Sequence, residues 1–443
     1  MRNMYKKIVC LSISLLLIFS FSSCQILTSD VNPTHLNTTP TEAPSSTSTE
    51  PPTEPATAVN NLPAHASKYY EGAPINHGYN SLQTELQITL YHKISSAVYD
   101  VGKKKSDNGK YPLQKIIINT KSLTEADIRV VLEAFICDHP QLFWLANLFA
   151  YSISDIATVQ LYSEYLPDEI EKNVKKLNKA IEDIISKVPK KLSEFDRELL
   201  VHDLFLEQCD YSEDVKIIAD DKDAFSIYGA LVNKKAVCEG YAKAMQYLLS
   251  CVGIECATVN GKSENEMHKW NIVKIDNQWY HLDPTWDDNN EFIIYNYFNL
   301  DDELIKTDHI IANSFNKMTD EEICGGSESD LFNLDIPECK TLKNNYYNIK
   351  ATPLHGFDDK STYIITTALY NAVAENDIIF HIKVDDSLDF EDTVQKLFYE
   401  DPYKFFRYVE IVNEDFGEDI IGDNLSMLTN DIQHTIQIMI KYN

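Results

Sequence analysis

Residues 268–286 read HKWNIVKIDNQWYHLDPTW, two alternating runs about Asp276–Asn277, a pattern that dictates an antiparallel hairpin. Successive side chains on a strand point to opposite faces. With Asp276–Asn277 as a two-residue loop, Ile275 pairs with Gln278, and His268 falls opposite Thr285 and diagonal to Asp283. A four-residue loop sets His268 directly opposite Asp283. Either loop puts the imidazole and the carboxylate on one face, within hydrogen-bonding reach. A three-residue loop breaks that parity unless a bulge restores it. His281 shares the face of Asp283 and competes with His268 as a base, although its place late in the second strand suits packing or support of the site.

Upstream, NKKAVCEGYAKAMQYLLSCVGIE (233–255) places one cysteine where a polar turn gives way to an amphipathic helix. Tyr241, Ala244, Met245, Leu248, Leu249 and Val252 mark its buried face, and Gly253 stops it. Cys238 therefore stands in or beside the first turn, where unpaired amides and the helix dipole favour a thiolate. A thiol nucleophile needs a base, and the base needs an orienting partner. If the face carrying His268 and Asp283 also carries the Cys238 helix, the three converge. Taken singly, each has an ordinary reading: a buried small thiol, a structural histidine and a turn-forming aspartate before Pro284.

The 443 residues exceed one ordinary core, and 44% hydrophobic with 11% aromatic residues suffice to fold most of the chain. Helical periods dominate residues 67–189, which include SLTEADIRVVLEAFICDHP with a Ser122–Glu125 capping box and a strand-rich QLFWLANLFAYSISDIATVQLY. Helix, strand and hairpin follow over 190–320. Residues 321–443 change composition and read as a separate small α+β domain. The fold class is α+β. His202, in the helix that Ser193 caps, is a surface or core residue. The 68 acidic against 39 basic residues give a charge of −29, which repels phosphate backbones and excludes nucleic acid as a partner; a neutral or cationic peptide or glycan is easier to accommodate. No CxxC pair occurs among nine cysteines, so neither a zinc site nor another metal or cofactor is called for. Cys251–Cys256, Cys324–Cys339 and Cys137–Cys209 are conceivable disulfides in an exported protein.

The N-terminus reads as an address. MRNMYKK is basic, IVCLSISLLLIFSF is a 14-residue apolar run too short to span a bilayer comfortably, and SSC follows. The small residues before Cys24 resemble a bacterial lipobox, with Phe21 in place of the usual leucine; the plainer alternative is a secreted protein with Cys24 unmodified. Cleavage of the signal peptide 1–23 removes three basic residues and leaves −32. From 25 to 66 there is no lysine or arginine, while seven prolines stand among Ser, Thr and Glu. Such a segment, 24–66 with its cysteine, reads as a disordered tether, with a reach of roughly 40–100 Å. The expected location is the outer face of the cytoplasmic membrane, with a lipid anchor at Cys24.

The strings AVCEGYAKAMQYLL, GIECATVNG, HKWNIVKIDNQWYHLDPTWDD and YNYFNLDDELIKTDH resemble, in order, the transglutaminase-like superfamily, especially its bacterial surface branch, over about residues 190–310. FICDHPQLFWL is similar to segments upstream of that domain. The resemblance implies a papain-like core, a cysteine helix packed on an antiparallel sheet. It implies Cys238 as nucleophile, His268 as general base and then acid, and Asp283 as the orienting carboxylate. Lys269 stands where alanine is common, with its side chain expected to face away from the triad. Tyr228 is a candidate oxyanion donor beside the Cys238 amide, and Trp270 and Trp286 are candidate cleft walls. No EF-hand-type loop occurs, so the calcium dependence of animal transglutaminases does not carry over. The expected function is a membrane-tethered thiol enzyme that acts on amides of a protein or peptide, by hydrolysis or acyl transfer. The alternative is a non-catalytic surface module that holds a peptide or cell-wall glycan. An intact Cys–His–Asp set favours chemistry.

Overall fold

The computed structural model describes residues 9–10 and 75–443, except 216, 219, 290–291, 325–330, 418 and 423–424. The expected leader (Val9–Cys10 apart), the tether 24–66 and Cys24 lie outside the described residues. Among the described residues, no helix is long and apolar enough to cross a membrane.

After a short helical turn at His77–Ser81 come helices α1 (Glu85–Ala97) and α2 (Glu125–Asp138). The cap of α2 is Thr124 rather than Ser122. Thr124 Oγ1 accepts the Asp127 amide and Asp127 returns the bond, because the helix starts two residues later than the Ser122–Glu125 spacing implies. Strands β1 (Leu145–Ser152) and β2 (Ala157–Ser163) then pair antiparallel. Helices α3 (Pro167–Ile185) and α4 (Glu194–Leu206) follow, the second capped by Ser193.

Helix α5 (Cys238–Cys251) leads into a five-stranded antiparallel sheet. Its strands are β3 (Glu255–Ser263), β4 (Glu266–Ile275), β5 (Gln278–Leu282), β6 (Phe298–Leu300) and β7 (His309–Ile311), in spatial order β6-β5-β4-β3-β7. Asp276 and Asn277 both take positive φ, 51° and 60°, the conformation of a two-residue primed turn, and Ile275 pairs with Gln278. A short helix α6 (Pro284–Asp287) closes the hairpin. Gly261 permits the layer beneath the site: a Cβ there would lie 2.2 Å from the Ile310 carbonyl and 2.6 Å from the Trp270 ring.

One apolar core joins the N-terminal helices, the sheet and residues as late as Cys339, Tyr346 and Tyr347. The composition change at 320 falls inside that core. A second core begins at Leu354 and ends at Ile440. It lies between helices α7 (Asp359–Ala374) and α8 (Lys404–Phe416) and a sheet of β8 (Thr352–Leu354), β9 (Ile379–Val384), β10 (Ser426–Asn430) and β11 (Thr435–Met439). Val9–Cys10 pair in parallel with Ser426–Met427 at the edge of this sheet. The architecture is α+β throughout, with helices packed on largely antiparallel sheets. The seven cysteines from Cys137 to Cys339 are free, so the three conceivable disulfides are not formed.

Candidate active site

Cys238 is the first residue of α5, and no side chain caps that terminus. The exposed amides and positive dipole end are therefore left to act on the half-buried thiol. Gly240 lets the first turn seat deeply, since a Cβ there would meet the Ala224 carbonyl at 2.5 Å and the Ala236 methyl at 2.7 Å.

His268 sits near the start of β4, with Asp283 just past the end of β5. Continuous pairing along the hairpin keeps both on one face, and His268 Nε2 lies 2.6 Å from Asp283 Oδ2. The Cys238 thiol lies close enough to act on the same imidazole, by hydrogen bonding and by its charge. Burial opposes charge on His268, but the Asp283 carboxylate outweighs it, Cys238 adds to the pull, and the imidazole is raised to about 10. Asp283 is completely buried. Burial pushes its carboxyl up, yet His268 and then His309 hold it well below the usual carboxylate range. Its Oδ1 accepts the amides of Thr285 (3.0 Å) and Trp286 (3.3 Å), so the carboxylate also caps α6.

The helix does not pack on the face that carries the triad. Asn271, of opposite parity to His268, donates to the Ala242 carbonyl of α5 at 3.0 Å. Only the tip of the helix reaches His268. Lys269 shares the parity of Asn271, and its ammonium is 3.7 Å from Glu133 on α2, away from the triad.

The remaining expected site residues fall in different places. Tyr228 directs its hydroxyl proton to Asn173 Oδ1 (3.1 Å) on α3, with Lys176 at 3.4 Å and its ring against Phe143, so it is not placed as the oxyanion donor. The tyrosine that feels the charge of Cys238 is Tyr211, whose phenol is raised by burial and then by that charge. Sequence offered no sign of it, because Tyr211 arrives through pairing of 210–211 with 235–236. Trp270 is fully buried and stacks beneath His268 (5.8 Å, 18°), a platform rather than a cleft wall. Trp286 is half-buried and edge-on to His268 at 6.3 Å, a position suited to a wall. His281 supports the platform: the Trp270 indole N–H donates to its Nδ1 at 3.1 Å, and its Nε2 faces Asp302 Oδ1 at 3.0 Å. His202 is a core residue, buried between Asp203 and Asp287.

Sequence reasoning also passed over His309. The ring is buried at the start of β7, with Nε2 3.1 Å from Asp283 Oδ2 and Nδ1 2.5 Å from Asp308 Oδ1. The only signal was the Asp308–His309 pair that ends YNYFNLDDELIKTDH.

Among the described residues, two groups bring metal-ligating atoms within 4.8 Å of one another: His268, Asp283 and His309, and His281, Asp302 and Cys339. The first is the hydrogen-bond chain just described. In the second, the indole donor obliges a neutral His281 to carry its proton on Nε2, directed at Asp302, and a cation there would have to displace that proton.

These features define a transglutaminase-like domain: a cysteine at a helix tip against a His–Asp pair on an antiparallel hairpin. Residues 181–284 match the model of the Transglutaminase-like superfamily. Kyphoscoliosis peptidase of Mus musculus is 31% identical over 78 residues, 15% of this chain and 12% of that protein. Among solved structures, a TGase crystal structure shares 17% identity and a TM-score of 0.23, over 39% of this chain and 50% of its own. The periplasmic domain of TgpA from Pseudomonas aeruginosa, bound to ethylmercury, shares 17% identity and a TM-score of 0.20, over 31% and 57%. The chain thus spans about an eighth of the mouse protein and about half of each of these two structures.

Proposed function

We propose that the protein is an exported, membrane-tethered thiol enzyme that acts on amide bonds of a protein or peptide through Cys238, His268 and Asp283. The observation that carries this reading is the placement of His268 between the Cys238 thiol and the buried Asp283 carboxylate. The thiolate attacks the amide carbonyl carbon, and the oxyanion forms beside the backbone amide of Cys238 at the helix tip. His268 gives its proton to the departing nitrogen as the C–N bond breaks and a thioester remains. Water or an amine then attacks the thioester and surrenders a proton to His268, and the Cys238 thiolate leaves. Asp283 holds the ring in one tautomer and stabilises its charge throughout.

Peptide mapping after mild iodoacetamide treatment tests the nucleophile. Cys238 should be modified first. The other half-buried thiols, Cys251 and Cys324, are pushed up by burial to about 12 and about 11 and stay protonated at neutral pH. Earlier reaction of Cys324 or Cys251 overturns the assignment. The tether is supported by the basic, apolar and small-residue leader before Cys24. Cys24→Ser should release the protein from the membrane fraction or leave its leader uncleaved, because the acyl chains of a lipoprotein supply the anchoring. A processed, membrane-bound variant would refute it.

A further inference from the structure

Asp283 serves two histidines. His309 crosses to it from β7, on the far side of β3, where His309 pairs with Ser263. Both of its ring nitrogens face carboxylates, Asp283 at 3.1 Å and Asp308 at 2.5 Å. Ionised carboxylates only accept, so both nitrogens carry protons and the ring is an imidazolium. Asp308 is itself held by the Tyr297 hydroxyl at 2.6 Å. The rings of Trp270 and Trp286, each 5.1 Å away, and of Tyr297, 5.5 Å away, enclose the histidine and exclude water. Its ring centre is 5.3 Å from that of His268. The titratable groups that face it are Asp283, Asp308, His268 and Tyr297, and His281 feels its charge.

We infer that His309 is a positioning residue that fixes the Asp283 carboxylate and limits how tightly that carboxylate holds the proton of His268. The inference rests on the reading of Cys238 and His268 as nucleophile and base. An acid that must hand its proton to a leaving amine works best when its affinity lies near the working pH. A buried aspartate alone holds the proton of His268 too firmly. His309 draws on the same oxygen, Oδ2, and its positive charge repels that of His268. The repulsion is mutual, so His309 eases proton release from His268 while exchanging no proton with the substrate.

The test is the pH profile of iodoacetamide alkylation at Cys238, measured on the full chain for wild type, His309→Gln and Asp308→Asn, with thermal melting alongside. Glutamine can still donate to Asp283 but carries no charge. The alkaline inflection, which reports loss of the His268 imidazolium, should move up by about one pH unit in His309→Gln. Asp308→Asn loosens the proton on His309 and should move the inflection the same way by less. If His309→Gln does not fold, Asp308→Asn decides alone, since the Asp308 side chain is 31% exposed and its replacement is tolerable. An inflection that stays in place or moves down, whatever happens to the rate, overturns the inference and leaves His309 as packing. Failure of the wild-type Cys238 to react selectively overturns the nucleophile reading instead, and the inference with it.

Discussion

The two cores of this chain are built by opposite rules. The first, from Leu90 to Tyr347, buries His202, His268, His281 and His309 together with Glu198, Asp283 and Asp287. The second, from Leu354 to Ile440, buries one histidine, His381, which faces Gln437 and is pushed down to about 4 by burial. Among the described residues, its other buried polar groups are neutral amides and hydroxyls such as Gln433, Gln437, Thr393 and Thr435. Burying a charge is costly unless it is paired, so a packing-only core avoids it. The first core pairs most of its charges within one network around Asp283 and α6, and such concentrations mark chemistry. The seam between the cores is neutral: Asn345 donates to Gln433 at 3.1 Å, Gln433 to the Asn296 carbonyl at 2.7 Å, and the Tyr346 ring stands edge-on to that of His381 at 5.3 Å. The second domain therefore reads as packing attached to a chemical unit.

Substitutions in the two cores should differ in kind. The largest effect is expected for Asp283→Asn. The protein should fold, but turnover on a peptide amide should fall about a thousandfold or more, because an amide orients His268 in the wrong tautomer. Undiminished turnover by folded protein would sink the orienting role. Next is Ile436→Ala at a fully buried position of the second core, which should cost about 2–5 kcal/mol of that domain's stability by chemical denaturation. Below the transition, Cys238 should alkylate at the wild-type rate. A large loss of thiol reactivity in the folded variant would mean that the second core tunes the site.

Glu198 sharpens the contrast further. It is fully buried, with one oxygen accepting from Asn299 at 2.7 Å, and burial pushes its carboxyl up from 4.5 to about 8. A carboxyl raised on folding is favoured neutral in the native state, so its contribution to stability falls as pH climbs from 4.5 through 8. Glu198→Gln should remove that loss, giving a melting temperature that gains on wild type over this window. A constant difference between the two curves would show that Glu198 is already ionised at neutral pH. The smallest effect belongs to Lys269→Ala. Its contact with Glu133 is long, 3.7 Å, and points away from the triad, so stability should fall by under about 1 kcal/mol and turnover by less than about twofold. A tenfold drop in turnover would place Lys269 in the site after all.

What the sequence determined by itself was whatever depends on local period and turn chemistry. Asp276–Asn277 adopt left-handed conformations readily, which sets the hairpin register and with it the shared face of His268 and Asp283. The apolar spacing from Tyr241 onward and Gly253 defined a helix that begins at Cys238. Ser193 named its own helix start, whereas Ser122 did not, because Thr124 offered the same chemistry two residues on. Relations across long sequence separations were decided only by the tertiary structure. Period says that Trp270 shares the His268 face, but closure of β3 and β7 over the ring is what buries it. Tyr211 comes under the charge of Cys238, and Tyr228 turns to α3, through packing of segments with no shared pattern. The composition change at 320 was visible, yet the core runs on to Tyr347, since apolar contact is indifferent to where composition shifts. His309 is the sharpest case. It lies 26 residues beyond Asp283, and only the folding of β7 against β3 delivers its imidazole to the carboxylate that His268 already holds.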